Sequence, residues 1–105
     1  MVKYISIFQL KQGYDAEETY QIWIKEHVPY VKKTMEPELK GYVVGRVVQN
    51  RTEGKEFFGS VQLSFSNLSD AIRAWSRLAE NPPDELMNRI TDVRRVIVEE
   101  NDVFA

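Results

Sequence analysis

The sequence YVVGRVVQ, residues 42–49, decides the fold, because a polar stretch and then a second strand-like run follow it directly. Gly41 is expected to open the first of these strands. Residues 50–55 contain Asn50 and Gly54 and predict a turn, and residues 57–65 predict the returning strand. Valine, tyrosine and phenylalanine are typical of strands. The middle of the chain is therefore predicted to be an antiparallel hairpin.

A helix is predicted on each side of this hairpin, and a further strand beyond each helix. Asp15 precedes two glutamates, which is typical of a helix N-terminus, and Asn67 or Ser69 can cap the other helix. Three residues, Asn81-Pro82-Pro83, are expected to end that second helix, and a short helical turn is expected from Asp84. The outer strands are predicted at 2–10 and 93–99, and the helices at 16–34 and 68–80.

The resulting order, β, α, β, β, α, β, predicts a ferredoxin-like α+β domain with a four-stranded antiparallel sheet. On the first strand Tyr4 and Phe8 share one side while Ile5 and Ile7 share the other, so both faces of the sheet are apolar. Two helices cover only one face, and a second copy of the sheet is the simplest cover for the other. A homodimer is therefore predicted. The alternative is that the β-branched residues reflect strand propensity alone.

Length and composition restrict the class of protein. A chain of 105 residues with 43% hydrophobic residues predicts one folded domain, residues 1–105. The net charge of -2 gives no basic field for a nucleic-acid backbone, so no nucleic-acid partner is expected. There is no cysteine, which excludes disulfides and thiolate chemistry and favours a reducing, cytoplasmic compartment.

No membrane association is predicted from the sequence. The apolar run near the start, residues 4–8, is too short for the apolar core of a signal peptide and fits a first strand instead. No stretch approaches the roughly 20 apolar residues that a membrane-spanning helix needs.

His27 is the only histidine, so any chemistry that uses an imidazole must use this residue. Helical spacing places it on the same side as Tyr20, Trp23 and Val31, the side expected to face the sheet. An imidazole gains and loses a proton near neutral pH and can act as a general acid or base. The alternative is a core histidine held by one hydrogen bond. Pro29 removes a backbone donor, so the helix is expected to bend or lose its regular form nearby.

The stretch WIKEHVPYV, residues 23–31, resembles the first-helix signature of the EthD family: an aromatic residue, a histidine four positions later and a proline two positions further. Leu39-Lys40-Gly41-Tyr42 and residues 65–75 are similar to the same family. The resemblance implies the dimeric α/β-barrel superfamily, in which two ferredoxin-like subunits pack sheet against sheet and each has a cavity between sheet and helices. Relatives with that architecture include cofactor-free monooxygenases, isomerases, polyketide cyclases, dehydratases and haem-degrading enzymes.

The resemblance also bears on cofactors. The haem-degrading branch carries its haem-ligating histidine on the second helix, and residues 68–80 contain none, so haem is not expected. Trp75 on that helix is interpreted as a core aromatic. One histidine and no cysteine leave only carboxylates for a metal, and no metal site is predicted.

Several side chains are candidates for the wall of the implied cavity, and each has a structural alternative. Ser6 interrupts an apolar strand and could orient a ligand, or it could be a small residue at a tight contact. Arg46 could bind a carboxylate or phenolate, or form a salt bridge at the rim of a dimer. The aromatic candidates could equally be packing residues. The predicted substrate-binding residues are Tyr4, Ser6, Phe8, Trp23, Tyr30 and Tyr42.

These observations lead to one functional hypothesis with two alternatives. The hypothesis is a cofactor-independent enzyme for a small hydrophobic, aromatic or polyketide-like molecule, with His27 moving a proton to or from the substrate. The first alternative is a non-catalytic module that binds a small ligand or assists another protein of a degradative pathway. The second is a structural dimer without a ligand. The sequence does not choose between dehydration, cyclisation, isomerisation and oxygenation.

Overall fold

The computed structural model describes residues 1–80 and 85–104, and within them it contains one antiparallel sheet covered by helices on one face. The expected Asn81-Pro82-Pro83 break and the start at Asp84 lie outside the described residues. The helix and strand boundaries, in chain order, are β1 Val2–Leu10, α1 Ala16–Ile22, a π-helical turn Trp23–His27, α2 Val28–Met35, β2 Gly41–Arg46, β3 Phe57–Phe65, α3 Leu68–Ala79, α4 Glu85–Arg89 and β4 Ile90–Glu99.

The strands are arranged in the order β2-β3-β1-β4, and every neighbouring pair is antiparallel. The ferredoxin-like α+β fold predicted from the sequence is therefore confirmed. In its shortest dimension the molecule measures only 19 Å. That thickness corresponds to one sheet and one helical layer, because packed layers are separated by about 10 Å.

Side-chain caps fix the starts of two helices. The amide of Glu18 donates a hydrogen bond of 2.8 Å to the carboxylate of Asp15, and the amide of Asp70 donates one of 2.9 Å to the side chain of Asn67. Such contacts satisfy amides that have no partner within the helix. Asn67, one of the two residues proposed for the second cap, is thus the residue that caps α3.

The predicted hairpin is formed, but β2 ends at Arg46 instead of residue 49. Beyond it, Asn50 closes the loop with its side chain, which accepts from the amide of Phe57 at 2.8 Å and donates to the carbonyl of the same residue at 3.1 Å. Val48 is 97% exposed as a result. Strand propensity alone predicts too long a strand. Beyond Arg46, the side chain of Asn50 makes hydrogen bonds to the Phe57 backbone that a paired strand would otherwise make.

The last strand begins at Ile90, three residues before the prediction of 93–99. Ile90 and Thr91 pair with Leu10 and Gln9, and the register shifts between this pairing and the rest of the ladder. Asp92 lies at the irregularity with φ of 50°, a conformation that aspartate tolerates better than most residues. At this irregularity side chains no longer alternate between the two faces of the sheet. Because strands are predicted from that alternation, the predicted start of β4 is too late.

Helix α3 turns small residues toward the core. Ala71 and Ala74 are buried, whereas Ile72 is 55% exposed. Apolar character alone therefore does not identify the buried face of α3. Within the described residues, no helix is both long enough and apolar enough to cross a membrane.

Candidate active site

A cavity of about 500 Å³ lies between the sheet and the helices. It separates two clusters of buried residues, one containing Tyr4, Met35 and Leu63 and the other containing Phe8 and Trp23. Its size falls in the range of roughly 300–1,000 Å³ that is typical of small-ligand sites. The gap between the two clusters is therefore a candidate binding site.

The residue sequence of β1 explains why the gap lies there. Tyr4, Ser6 and Phe8 alternate along the strand, and all three are buried and line the cavity. The Tyr4 ring packs 4.7 Å from the ring of Trp75, and the Phe8 ring packs 5.1 Å from that of Trp23. The small side chain of Ser6 stands between these two aromatic pairs. It leaves unfilled the space that a larger residue would occupy.

The opposite wall is built by the π-helical turn between α1 and α2. The amide of Val28 donates to the carbonyl of Trp23, five residues back, instead of four. Pro29 follows directly and has no amide hydrogen to give to Lys25, so the regular α-helical pattern cannot continue through this point. The irregularity expected from Pro29 is thus present. Single π-helical turns inserted in helices are frequent at functional sites.

His27 is the last residue of the π-helical turn, is half-buried, and lines the cavity. Trp23, at the first position of the same turn, is fully buried and lines the cavity as well. The turn therefore presents the only imidazole of the chain and a large indole on one wall. This is an arrangement in which a proton can be exchanged with a molecule held in an apolar site.

Two buried polar atoms on this wall have no hydrogen-bond partner among the described residues: Nε1 of Trp23 and the hydroxyl of Tyr30. Both residues line the cavity. More than nine in ten buried polar groups in proteins are hydrogen-bonded, and leaving one unpaired costs about 1–3 kcal/mol. Within the described part of the chain, these two atoms are therefore the unsatisfied polar groups of this wall.

Polar side chains gather at the Ser6 position. Arg95 on β4 pairs with Ser6 across the strands and lines the cavity. Burial raises the pKa of Tyr4, while the positive charge of Arg95 and the nearby Ser6 side chain act in the opposite direction. The guanidinium carbon of Arg95 lies 5.6 Å from the centre of the Trp75 ring. One end of an otherwise apolar cavity thus carries a cation and two hydroxyl groups.

The structure places all seven predicted site residues on the wall of this one cavity. Tyr42, the remaining member of the set, reaches it from β2, where it pairs with Leu63 of β3. The seven are His27, Tyr4, Ser6, Phe8, Trp23, Tyr30 and Tyr42.

Sequence reasoning missed other lining residues, among them Arg95 and three residues of α4, Leu86, Met87 and Asn88. Trp75, interpreted as a core aromatic, is half-buried and lines the cavity. The alternation of β4 could have assigned Arg95 to the helix-covered face only with a known register against β1. No signal in the sequence indicated where α4 would pack.

Helix α4 is held over the site by Arg89. This buried arginine forms ion pairs with Glu85 at 3.0 Å and with Glu18 of α1 at 3.4 Å. It also donates to the hydroxyl of Thr19 at 3.4 Å. These contacts tie α4 to α1, and this brings Leu86 to the edge of the cavity.

Arg46 does not line the cavity. Its guanidinium forms a salt bridge of 2.8 Å with Glu17 and lies 4.5 Å from the centre of the Tyr20 ring. A salt bridge was one of its two expected roles, but the partner is a carboxylate of the same chain. In residues 1–80 and 85–104, no three histidine, aspartate or glutamate side chains are grouped closely enough to hold a metal ion.

Solved structures share this fold over nearly the whole chain. An ethyl tert-butyl ether D (EthD) family protein from Bacillus halodurans superposes with a TM-score of 0.67 at 16% identity, covering 96% of this chain and 99% of its own. A dimeric protein with a ferredoxin-like fold from Bacteroides fragilis gives a TM-score of 0.51 at 20% identity, covering 94% of this chain and 95% of its own. The resemblance to EthD proteins is thus confirmed at the level of the fold.

A third neighbour has a stated activity. SnoaB from Streptomyces nogalater, described as a cofactor-independent oxygenase, superposes with a TM-score of 0.60 at 9% identity, covering 97% of this chain and 94% of its own. No protein-family model and no curated protein sequence matches this chain. At such identities the likeness establishes the architecture, because one fold serves many functions.

Proposed function

We propose that this protein, which has the fold of the EthD-like dimeric α/β-barrel proteins, is a cofactor-independent enzyme for a small hydrophobic, aromatic or polyketide-like molecule. One observation carries the proposal: the only histidine of the chain lines an apolar cavity of about 500 Å³ together with two buried polar atoms that have no partner among the described residues. A largely apolar cavity of this size with a few polar groups on its wall is typical of small-ligand sites.

In this proposal His27 transfers a proton to or from the substrate. A general acid or base must lie within hydrogen-bond reach of the atom on which it acts, and the position of His27 in the cavity wall permits this. The Trp23 and Tyr30 rings and Phe8 form apolar walls that exclude water. Ser6 or Tyr4 orients an oxygen atom of the substrate from the sheet.

The comparison with SnoaB supports the proposal in one respect. That protein is described as a cofactor-independent oxygenase, and its chain has the same fold as this one. Such chemistry relies on the substrate's own reactivity once a proton is removed, and a base in an apolar cavity meets that requirement. The choice among oxygenation, cyclisation, dehydration and isomerisation depends on the substrate.

We further propose that the protein works as a homodimer in the cytoplasm, packed through the sheet face that the helices leave uncovered. Val43 and Val96 project from this face, 60% and 56% exposed. Ile5, which pairs directly with Val96, lies on the same face. Exposed apolar groups on one flat surface favour association, and the Bacteroides fragilis neighbour with this fold is dimeric. The lack of cysteine favours a reducing compartment.

The first experiment measures ligand access to His27. Proton NMR follows the ring signals of this single histidine while 2-naphthamide, a neutral aromatic probe, is added to protein whose mass has been checked by light scattering. We expect the His27 signals to shift as the concentration of 2-naphthamide rises, and to stop shifting when the site is saturated. Glu26→Gln, a change at the exposed neighbouring residue, should leave the shift unchanged. Absence of any shift at a saturating probe concentration would remove His27 from the proposed site.

The alternative is a non-catalytic module that binds the same class of molecule, and the largely apolar cavity wall suits it equally. The two functions differ in what His27→Asn does. A binding module keeps its affinity for 2-naphthamide and has no catalytic activity to lose. An enzyme keeps that affinity and loses proton transfer, which is measured with a chromogenic substrate that reacts on loss of a proton.

A further inference from the structure

Arg95 is the cation of the cavity, and its position is set by the sheet. It pairs with Ser6 across β1 and β4, and its guanidinium carbon lies 5.6 Å from the centre of the Trp75 ring. The contact with the indole favours a guanidinium that stays beside the ring of Trp75, another lining residue. Tyr4 and Ser6 line the same end.

The ion pairs of the molecule set Arg95 apart from most other arginines. Among residues 1–80 and 85–104, Arg95 forms no salt bridge with a carboxylate, although it borders a site with largely apolar walls. Arg51 also lacks such a partner, but it lies in the loop after β2 and does not line the cavity. The arginines with a carboxylate partner are Arg46, Arg73, Arg77, Arg89 and Arg94.

A guanidinium group without a carboxylate partner, beside apolar walls, attracts anions. Its planar donors match the two oxygens of a carboxylate and can form two parallel hydrogen bonds, a geometry that a lysine cannot supply. The Arg95 side chain is exposed in the ligand-free chain, so a carboxylate can reach it from solvent. The hydroxyl groups of Tyr4 and Ser6 are further donors at the same end of the cavity.

We infer that the ligand of this cavity is an aromatic-sized carboxylate whose acidic group binds Arg95 and whose apolar body lies between the Trp23 and Tyr30 side chains. This inference rests on the proposed function and adds the substrate class to it. It assigns Arg95 as a specificity-determining residue, whereas His27 acts on another part of the molecule.

The test compares two probes of nearly equal shape, 2-naphthoate and its neutral amide, 2-naphthamide, by isothermal titration calorimetry at pH 7.5. The folded protein is expected to bind the carboxylate on the order of tenfold more tightly than the amide, since a charged hydrogen bond contributes about that factor. Arg95→Gln should reduce this preference to about onefold, because the neutral side chain no longer distinguishes the probes. Its affinity for 2-naphthamide should remain that of the unsubstituted protein.

Arg73→Gln is the matched control, because it removes the same charge from α3 at a residue that does not line the cavity. It should keep the preference for 2-naphthoate, which excludes a general effect of net charge. Circular dichroism establishes that both variants are folded.

Two outcomes would overturn the inference, and they are distinguishable. If the unsubstituted protein binds both probes equally, or if Arg95→Gln keeps the preference, the carboxylate inference is wrong while ligand binding in the cavity stands. If neither probe binds at millimolar concentration, the cavity is not an aromatic binding site, and the proposed function fails together with the inference.

Discussion

The indole ring of Trp23 occupies the space that any side chain at Gly59 would need. A Cβ atom built on Gly59 would lie 2.5 Å from two carbons of that ring and 3.0 Å from the Phe8 ring. Real Cβ atoms do not approach other atoms so closely. The glycine on β3 therefore lets the π-helical turn pack directly on the sheet and fixes one wall of the cavity.

Gly59→Ala is expected to destabilise the fold by about 1–3 kcal/mol, the usual cost of adding a methyl group to a filled core. Urea unfolding followed by tryptophan fluorescence measures the change. Gly41→Ala is a suitable control, because its Cβ would meet only the Ser64 side chain, at 3.2 Å from the hydroxyl oxygen and 3.3 Å from Cβ, and a shift of a few tenths of an ångström relieves both contacts. Equal losses in the two variants would contradict the close packing of Trp23 on Gly59.

The Tyr30 hydroxyl gives a second prediction. Because it is buried without a partner among the described residues, Tyr30→Phe should stabilise the ligand-free protein by about 1 kcal/mol, since the unpaired group no longer has to be desolvated. The same change should weaken binding of a ligand that hydrogen-bonds to this hydroxyl. Chemical denaturation with and without 2-naphthoate measures both effects. A loss of stability in the free protein would show that the hydroxyl makes a favourable contact.

Much of the site follows from local sequence, because its main determinants act over short distances. Alternation along the first strand places Ser6 with Tyr4 and Phe8 on one face, and Pro29 predicts an irregular helix beside His27. Both features are present. They depend on strand alternation and on the missing proline amide, which neighbouring residues alone determine.

What the sequence did not predict depends on contacts between distant segments. Arg95 reaches the cavity through the β1–β4 register, and Leu86 reaches it because Arg89 ties α4 to α1. The early start of β4 depends on a register shift that disrupts alternation. On α3, helical periodicity alone does not reveal that Ala74 is buried while Ile72 is exposed.

Acid stability should depend on Glu38. Arg77 donates to both of its carboxylate oxygens at 2.9 Å, and these hydrogen bonds are the main reason that the pKa of Glu38 is lowered. A lowered pKa means that the stabilisation is complete above the pKa of an unfolded glutamate, about 4.3, and is lost as the pH falls through the folded value.

Glu38→Gln should therefore be less stable than the unsubstituted protein at pH 7, and the difference should shrink as the pH falls below about 4. Urea midpoints measured from pH 7 to pH 3 give the comparison. Glu56→Gln, at an exposed glutamate of the loop before β3, is a control that should show little difference at any pH. If the difference in urea midpoint between Glu38→Gln and the unsubstituted protein does not change with pH, the Glu38 carboxylate is not the source of the acid dependence.

The uncovered sheet face makes a prediction about assembly. Val43 is 60% exposed in one chain, so lysine at this position is compatible with the folded monomer. In a dimer packed through this face, Val43→Lys would bury a charge, and we expect light scattering to show a shift to monomer. Val103→Lys, at a valine that is 78% exposed in the C-terminal segment, should leave the mass unchanged. An unchanged dimer in the Val43→Lys variant would place the interface elsewhere.

The central claim, that His27 acts as a base toward an apolar molecule in the cavity, is tested most directly with 5-nitrobenzisoxazole. A base that removes the proton from C3 of this probe breaks the N–O bond and releases a coloured nitrophenolate, with no cofactor or oxidant. We expect the protein to accelerate the reaction over an equal concentration of free imidazole. His27→Asn should abolish this acceleration, whereas Glu26→Gln should retain it. Full activity in folded His27→Asn, or no acceleration by the unsubstituted protein although 2-naphthamide binds, would contradict the claim.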